Sequence, residues 1–240
     1  MDDAQRVATE IALTVLAADG FILAGGQALA EHGVIHRMSD DIDLFAQYRS
    51  HTPETFAASV DKITDALTVA GYSVQVTRQY EEFASLTVTK AETAVVIDLG
   101  LDWWENKPAI VDVGPVLSLK DSVASKLLTV YSRGYARDYL DAYSILSSKR
   151  FTPRRLIELC QRRDPHLDLE MLASAMTGHR ALAPTEFTKY GLPEADLQKL
   201  DRTLTGFATT IRQHASRTGS PAEPVDLTGL GIPGTGPELA

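Results

Sequence analysis

A single cysteine, Cys160, stands among 240 residues, so the chain can close no disulfide within itself and offers no cysteine spacing for zinc. A reducing compartment, the cytoplasm, is the expected setting. Long apolar runs are also scarce. The longest early one, residues 11–18, is too short to span a bilayer, and it follows Asp2, Asp3 and Glu10 where a secretory leader would carry basic residues. It reads as an ordinary helix, and no membrane association is expected. Positive charge is in deficit: 23 Lys and Arg face 32 Asp and Glu, a net charge of -9. That balance excludes a protein that coats nucleic acid indiscriminately, because backbone affinity comes from neutralising phosphates.

Apolar residues make up 44% of the chain, enough for one sizeable core or a core plus a smaller helical lobe. Charge is unevenly spread. Residues 1–115 carry 7 Lys/Arg against 18 Asp/Glu, whereas residues 116–163 carry 10 against 4, so a basic segment follows an acidic one. Lys149, Arg150, Arg154, Arg155, Arg162 and Arg163 fit either a phosphate-binding surface or a solvated helical face.

Apolar spacing predicts a helix over 4–18, ended by Asp19-Gly20, then a short buried strand over 21–24. Gly25-Gly26 punctuates it, a helix spans 27–32, and the next strand covers 41–45. A helix over 55–70 precedes paired strands at 72–77 and 83–89, with a further strand at 95–99. From 117 the pattern turns helical: Ser118 and Asp121 suit a capping box, and Gly134 separates two arms of a hairpin that ends near Ser147. Helices are also expected from Pro153, over 169–176 and over 194–214. From Ser216 the chain is rich in Gly and Pro without any period and reads as a flexible tail. The organisation is thus 1–115, a helical region 116–215 and a tail 216–240. The fold class is α+β, a mixed sheet of four to six strands flanked by helices, with the C-terminal helices closing a cleft.

The chemistry concentrates in residues 21–45, FILAGGQALAEHGVIHRMSDDIDLF. On a strand, Asp41 and Asp43 project to one side, roughly 6.6 Å apart along the chain, while Ile42 and Leu44 turn inward. Two carboxylates on one face invite Mg²⁺, with Mn²⁺ as a substitute, and Asp98 on a neighbouring strand is a candidate third ligand. A D-x-D pair alone is a weak signal in so acidic a chain. Its weight comes from the preceding strand, double glycine and helix. Gly25 and Gly26 would let backbone N–H groups approach a triphosphate, or they simply form a tight turn; the sequence is neither a Walker loop nor a dinucleotide fingerprint.

These residues resemble the nucleotidyltransferase superfamily of DNA polymerase β type, in which a glycine turn is followed by D-h-[DE] on the next strand. Here the turn is Ala24-Gly25-Gly26-Gln27 and the acids are Asp41-Ile42-Asp43. More narrowly, GGQAL followed by HRMSDDIDLF is similar to the AbiEii/MenT group of toxin-type nucleotidyltransferases. Arg37, Ser39, Asp41 and Asp43 fall on that group's R-x-S-x-D-[IL]-D element. A helical K-L-x-A-x-x-x-R and then R-D-x-x-D also find counterparts, in Lys126 to Arg133 and in Arg137-Asp138-Tyr139-Leu140-Asp141. The likeness covers residues 20–148. Two positions depart from it: Gln27 stands where many members have Ser or Thr to touch phosphate, and Thr129 replaces a small residue.

The resemblance implies an Mg²⁺-dependent enzyme that transfers a nucleoside monophosphate from an NTP to an RNA acceptor, the tRNA 3′ end, within a toxin–antitoxin system with a cognate antitoxin. Asp41, Asp43 and Asp98 would hold the metal. Gly25, Gly26, Gln27, Arg37, Ser39, Lys126 and Asp141 would bind the nucleotide. Lys126 would steady the triphosphate or the leaving pyrophosphate, and Asp138 or Asp141 would orient it or take the acceptor's proton, unless they form salt bridges with Arg133 or Arg137. Ser39 would touch a phosphate or accept one. Competing readings are an antibiotic-modifying nucleotidyltransferase, favoured by an acidic surface, a phosphotransferase acting on Ser39, and a silent nucleotide- or partner-binding module.

Overall fold

The computed structural model describes residues 1–37 and 39–218. The first helix, α1 (Asp3–Leu16), starts on a reciprocal cap: the Asp2 carboxylate accepts from the Gln5 backbone N–H at 2.7 Å, and the Gln5 side-chain oxygen accepts from the Asp2 N–H. Strand β1 (Ile22–Leu23) leads through helix α2 (Gly25–Glu31) to β2 (Asp41–Gln47). Helix α3 (Pro53–Val69) is followed by β3 (Ser73–Gln79), β4 (Phe83–Lys90), β5 (Thr93–Asp102), β6 (Ala109–Val111) and β7 (Gly114–Val116). Then come α4 (Leu119–Ser132), α5 (Ala136–Ser147), α6 (Pro153–Arg163), α7 (Leu169–Met176), the short α8 (Pro184–Thr188) and α9 (Leu197–Thr218).

Among the described residues the strands form one mixed seven-stranded sheet in the order β3-β4-β5-β2-β1-β7-β6. Its centre is the parallel pair β2 and β5. Both strands alternate: Ile42, Leu44, Ile97 and Leu99 are fully buried, while Asp41, Asp43 and Asp98 sit on the opposite, half-buried face. That alternation keeps the acids out of the core.

Seven strands exceed the four to six expected. The additional hairpin is β6 and β7, each three residues long and therefore too short to display a period of two, and Pro115 in β7 reads as a breaker although it occupies a strand here. A second difference concerns α4. Ser118 caps it by accepting from the Asp121 N–H, but the Asp121 carboxylate, instead of accepting from the Ser118 backbone N–H, accepts from the Ser118 hydroxyl and from the backbone N–H groups of Glu105 and Asn106, tying α4 to the loop after β5.

The interior falls into two clusters. One packs α1 and α3 on the sheet through Leu13, Leu16, Phe21, Phe56, Ile63 and Leu67; the other joins α4 to α7 and α9, and it draws Leu29 from α2 together with Val34 and Ile35. Helix α2 also gives Ala28 to the first cluster, so the glycine-led turn is clamped from both sides. Helix α9 stays helical to Thr218, past the Ser216 at which a tail was expected; residues 219–240 and Met38 lie outside the described residues. No helix among the described residues is long and apolar enough to cross a membrane.

Cys160 is fully buried in the helical cluster, and burial pushes its thiol up to about 12. Because the thiolate is the reactive form, the folded protein should resist alkylation by iodoacetamide at pH 8 and become labelled only in denaturant. Labelling of the native protein at the rate of a free thiol would contradict this packing.

Candidate active site

The site begins with register. Asp43 on β2 lies directly opposite Asp98 on β5, and Asp41 is two residues earlier on the same face. Each of the three carboxylates offers an oxygen within 4.8 Å of the others. Burial, reinforced by the charges of Asp41 and Asp98, pushes Asp43 up to about 6, while Lys126 and Arg133 pull it partly back. Three hard oxygen donors that repel one another suit Mg²⁺ or Mn²⁺, which bind through carboxylates and complete their shell with water and substrate oxygens. The residues therefore fit the metal that the sequence implies.

Local structure holds each acid in place. Ser39 donates to Asp41 at 3.3 Å and is itself fixed by Gln5, whose amide donates to the Ser39 carbonyl at 2.8 Å. Ser85 on β4, opposite Asp98 in the ladder, donates to Asp98 Oδ1 at 2.6 Å. Nothing in the sequence singled out Ser85; only the β4–β5 pairing reveals it.

The glycine turn has a tighter role than amide exposure. Gly25 has φ +60°, and a Cβ there would stand 1.6 Å from Asp43 Oδ2; at Gly26 a Cβ would stand 2.8 Å from Ser39 Oγ. The turn is bare because Asp43 presses against Gly25 and Ser39 against Gly26. Gly25→Ala should accordingly displace Asp43 and lower transfer on the order of 10²-fold, the usual consequence of an ångström-scale misplacement in an active site; an alanine variant with wild-type turnover would refute the contact. Gln27 does not reach the cleft. Its side chain is sealed inside, and no described residue hydrogen-bonds its amide.

Cations face the acids from the helical side. Asp141, fully buried, receives two hydrogen bonds from Arg37, Nε at 2.7 Å and Nη2 at 2.6 Å, and lies 3.4 Å from Lys126 Nζ. It thus orients two cations toward the cleft. Asp138 is also fully buried, but its oxygens accept from Arg133 at 2.9 and 3.0 Å and from the Tyr135 N–H. Burial opposes its charge, yet Arg133 and the Tyr135 amide outweigh that and hold it below the usual carboxylate range. A carboxylate so engaged caps α5 and fixes Arg133, the salt-bridge arrangement that stood as the alternative to a proton-accepting role. Arg137 lies 3.1 Å from Asp40 and 4.0 Å from Asp41.

These groups line a cleft of about 430 Å³ that includes Asp41, Asp43, Asp98, Lys126, Arg78 and Arg133. Arg78, on β3, was not anticipated, and Arg133 and Arg137 had appeared as motif residues and salt-bridge partners, not as lining of the cleft. The basic cluster further on is largely spent elsewhere: Arg150 donates to the His32 carbonyl, Arg154 and Arg155 pair with Glu158, Arg162 with Glu105 and Arg163 with Asp102.

Residues 10–217 match the family described as nucleotidyl transferase AbiEii toxin, Type IV TA system. No curated protein sequence matches the chain. Among solved structures, the fold is similar to that of JHP933 from Helicobacter pylori, with a TM-score of 0.53 at 14% identity over 89% of this chain and 92% of that one. A second H. pylori protein gives a TM-score of 0.56 at 13% identity, covering 90% and 98%. MenT4, a nucleotidyltransferase toxin from Mycobacterium tuberculosis H37Rv, gives 0.51 at 16% identity, covering 87% and 83%.

Proposed function

This chain belongs to the AbiEii family of nucleotidyl transferase toxins of toxin–antitoxin systems, and from that premise we propose that it moves a nucleoside monophosphate from an NTP to an RNA acceptor, the tRNA 3′ end, in the cytoplasm. The observation that carries the reading is the convergence of Asp41, Asp43 and Asp98 from two paired strands on one side of a cleft whose other side presents Lys126, Arg133 and Arg137.

A divalent cation held by the three aspartates, Mg²⁺ in the first instance, supplies neutralisation of triphosphate charge when bound. The remaining work falls to the protein. Lys126, oriented by Asp141, and Arg133, oriented by Asp138, meet the triphosphate and the negative charge that grows on the departing pyrophosphate. The acceptor hydroxyl oxygen attacks the α-phosphorus and gives its proton to solvent water, the bond to the bridging oxygen breaks, and pyrophosphate leaves. Arg137 now sits between Asp40 and Asp41, where it balances the acids until substrate arrives. An antitoxin is the expected partner that restrains the activity.

The test is incubation with Mg²⁺, each α-labelled NTP in turn and total tRNA, with Asp41→Ala alongside. Label on tRNA from wild type and none from the variant is the expected result. Full activity in a folded Asp41→Ala protein would sink the assignment, and label arriving only from γ-labelled ATP would replace it with phosphotransfer.

A further inference from the structure

Beside the acid-lined cleft lies a second recess of about 220 Å³, and the two share Arg137. Its lining has a different chemistry. Tyr135 and Tyr190 bring aromatic rings, Leu182 adds apolar surface, and Glu186 and Lys189 form an ion pair there. Tyr135 is 58% exposed, unusual for so large a ring at the start of a helix. Both rings are joined to the cleft by cations that line it: the Arg37 guanidinium lies 5.9 Å from the Tyr190 ring centroid, and that of Arg133 lies 5.4 Å from the Tyr135 centroid. Lys189 also lies 5.3 Å from the Tyr190 ring.

Aromatic faces flanked by cations, next to a triphosphate-sized polar cleft, form the combination that binds a flat heteroaromatic ring attached to phosphates. Stacking on tyrosine is available to every base, and cation–π contacts add to it. A recess this small is below the ~300 Å³ at which drug-sized sites begin, so it suits one ring system and not a folded RNA segment. Glu186 and Lys189 provide a hydrogen-bond acceptor and a donor beside the rings, the two functions that a base edge requires. Tyr135 and Tyr190 are distant in the chain and come to one recess where α8 packs on α5.

We propose that this recess takes the nucleobase of the donor NTP, with Tyr135 and Tyr190 as its stacking surfaces and Glu186 and Lys189 setting base preference. The inference rests on the transferase reading of the neighbouring cleft. Two probes separate them, a non-hydrolysable α,β-methylene NTP and inorganic tripolyphosphate, each titrated calorimetrically with Mg²⁺ into the full chain. Tyr190→Leu and Tyr135→Ala should weaken the NTP analogue on the order of tenfold, with tripolyphosphate unchanged and Tyr190→Phe close to wild type. Glu186→Gln should alter the ranking of the four NTP analogues. Equal losses for both probes, or none for either, would overturn the proposal, as would a loss confined to tRNA titrated in the same way, which would assign the recess to the acceptor. Wild-type protein that binds neither probe would remove the transferase reading and this inference with it.

Discussion

Asp43→Asn is expected to eliminate transfer, by on the order of 10²–10³-fold or more, and at the same time to make the metal-free protein more stable. Both effects have one source. Asp43 is held against Asp41 and Asp98, with carboxylate oxygens within 4.8 Å, on the half-buried face of the sheet. In the folded state its pKa is raised to about 6 from 3.8, so the ionised form is disfavoured by folding. The penalty is absent below about pH 4, grows as pH rises toward 6 and is fully present above it. At pH 7.5 removing the charge should therefore stabilise the apo protein by about 1–2 kcal/mol, read as a rise of a few degrees in melting temperature in EDTA. Near pH 4 the advantage should vanish. An Asn variant that is less stable than wild type at pH 7.5, or one that still labels tRNA, would show that the acids are not a mutually repelling metal site.

The acids were legible in the sequence because strand alternation is a local rule: the polar–apolar pattern of Asp41-Ile42-Asp43-Leu44 fixes which side chains share a face. Asp98 was legible for the same reason once 95–99 was read as a strand, although its register opposite Asp43 had to come from the β2–β5 pairing. The glycine turn was visible but its cause was not. A sequence can say that Gly25 permits a positive φ; it cannot say that Asp43 Oδ2 occupies the space where a Cβ would go. Ser85, Arg78 and the Tyr135–Tyr190 recess depend wholly on contacts between distant segments, and no spacing rule reaches them. The resemblance drawn from motifs ended at residue 148, whereas the family match continues to 217. Those C-terminal helices carry no motif, only the apolar spacing that packs α7 and α9 against α4 and α5.

The largest stability effect should come from a residue outside the acid cluster. Asp141 is fully buried and is shared by two cations whose side chains are themselves nearly buried, Arg37 at 8% and Lys126 at 10% exposure. Asp141→Asn preserves volume but leaves two positive charges side by side in a poorly solvated place. Losing one partner of a buried pair costs about 3–5 kcal/mol, mostly through the charge left behind. The measurement is urea unfolding, in which the midpoint should fall with the slope unchanged. Asp138→Asn provides the contrast. Its partner Arg133 is 37% exposed and can turn to water, so the expected loss there is smaller, about 1–2 kcal/mol including the weakened α5 cap. If the stranded charges are the cause, adding Lys126→Met to Asp141→Asn should recover part of the stability while transfer stays lost, because Lys126 is the group that Asp141 exists to aim. A single Asp141→Asn change within about 1 kcal/mol of wild type, or a double variant no more stable than the single, would mean that Arg37 and Lys126 find other partners and that Asp141 is not what positions them.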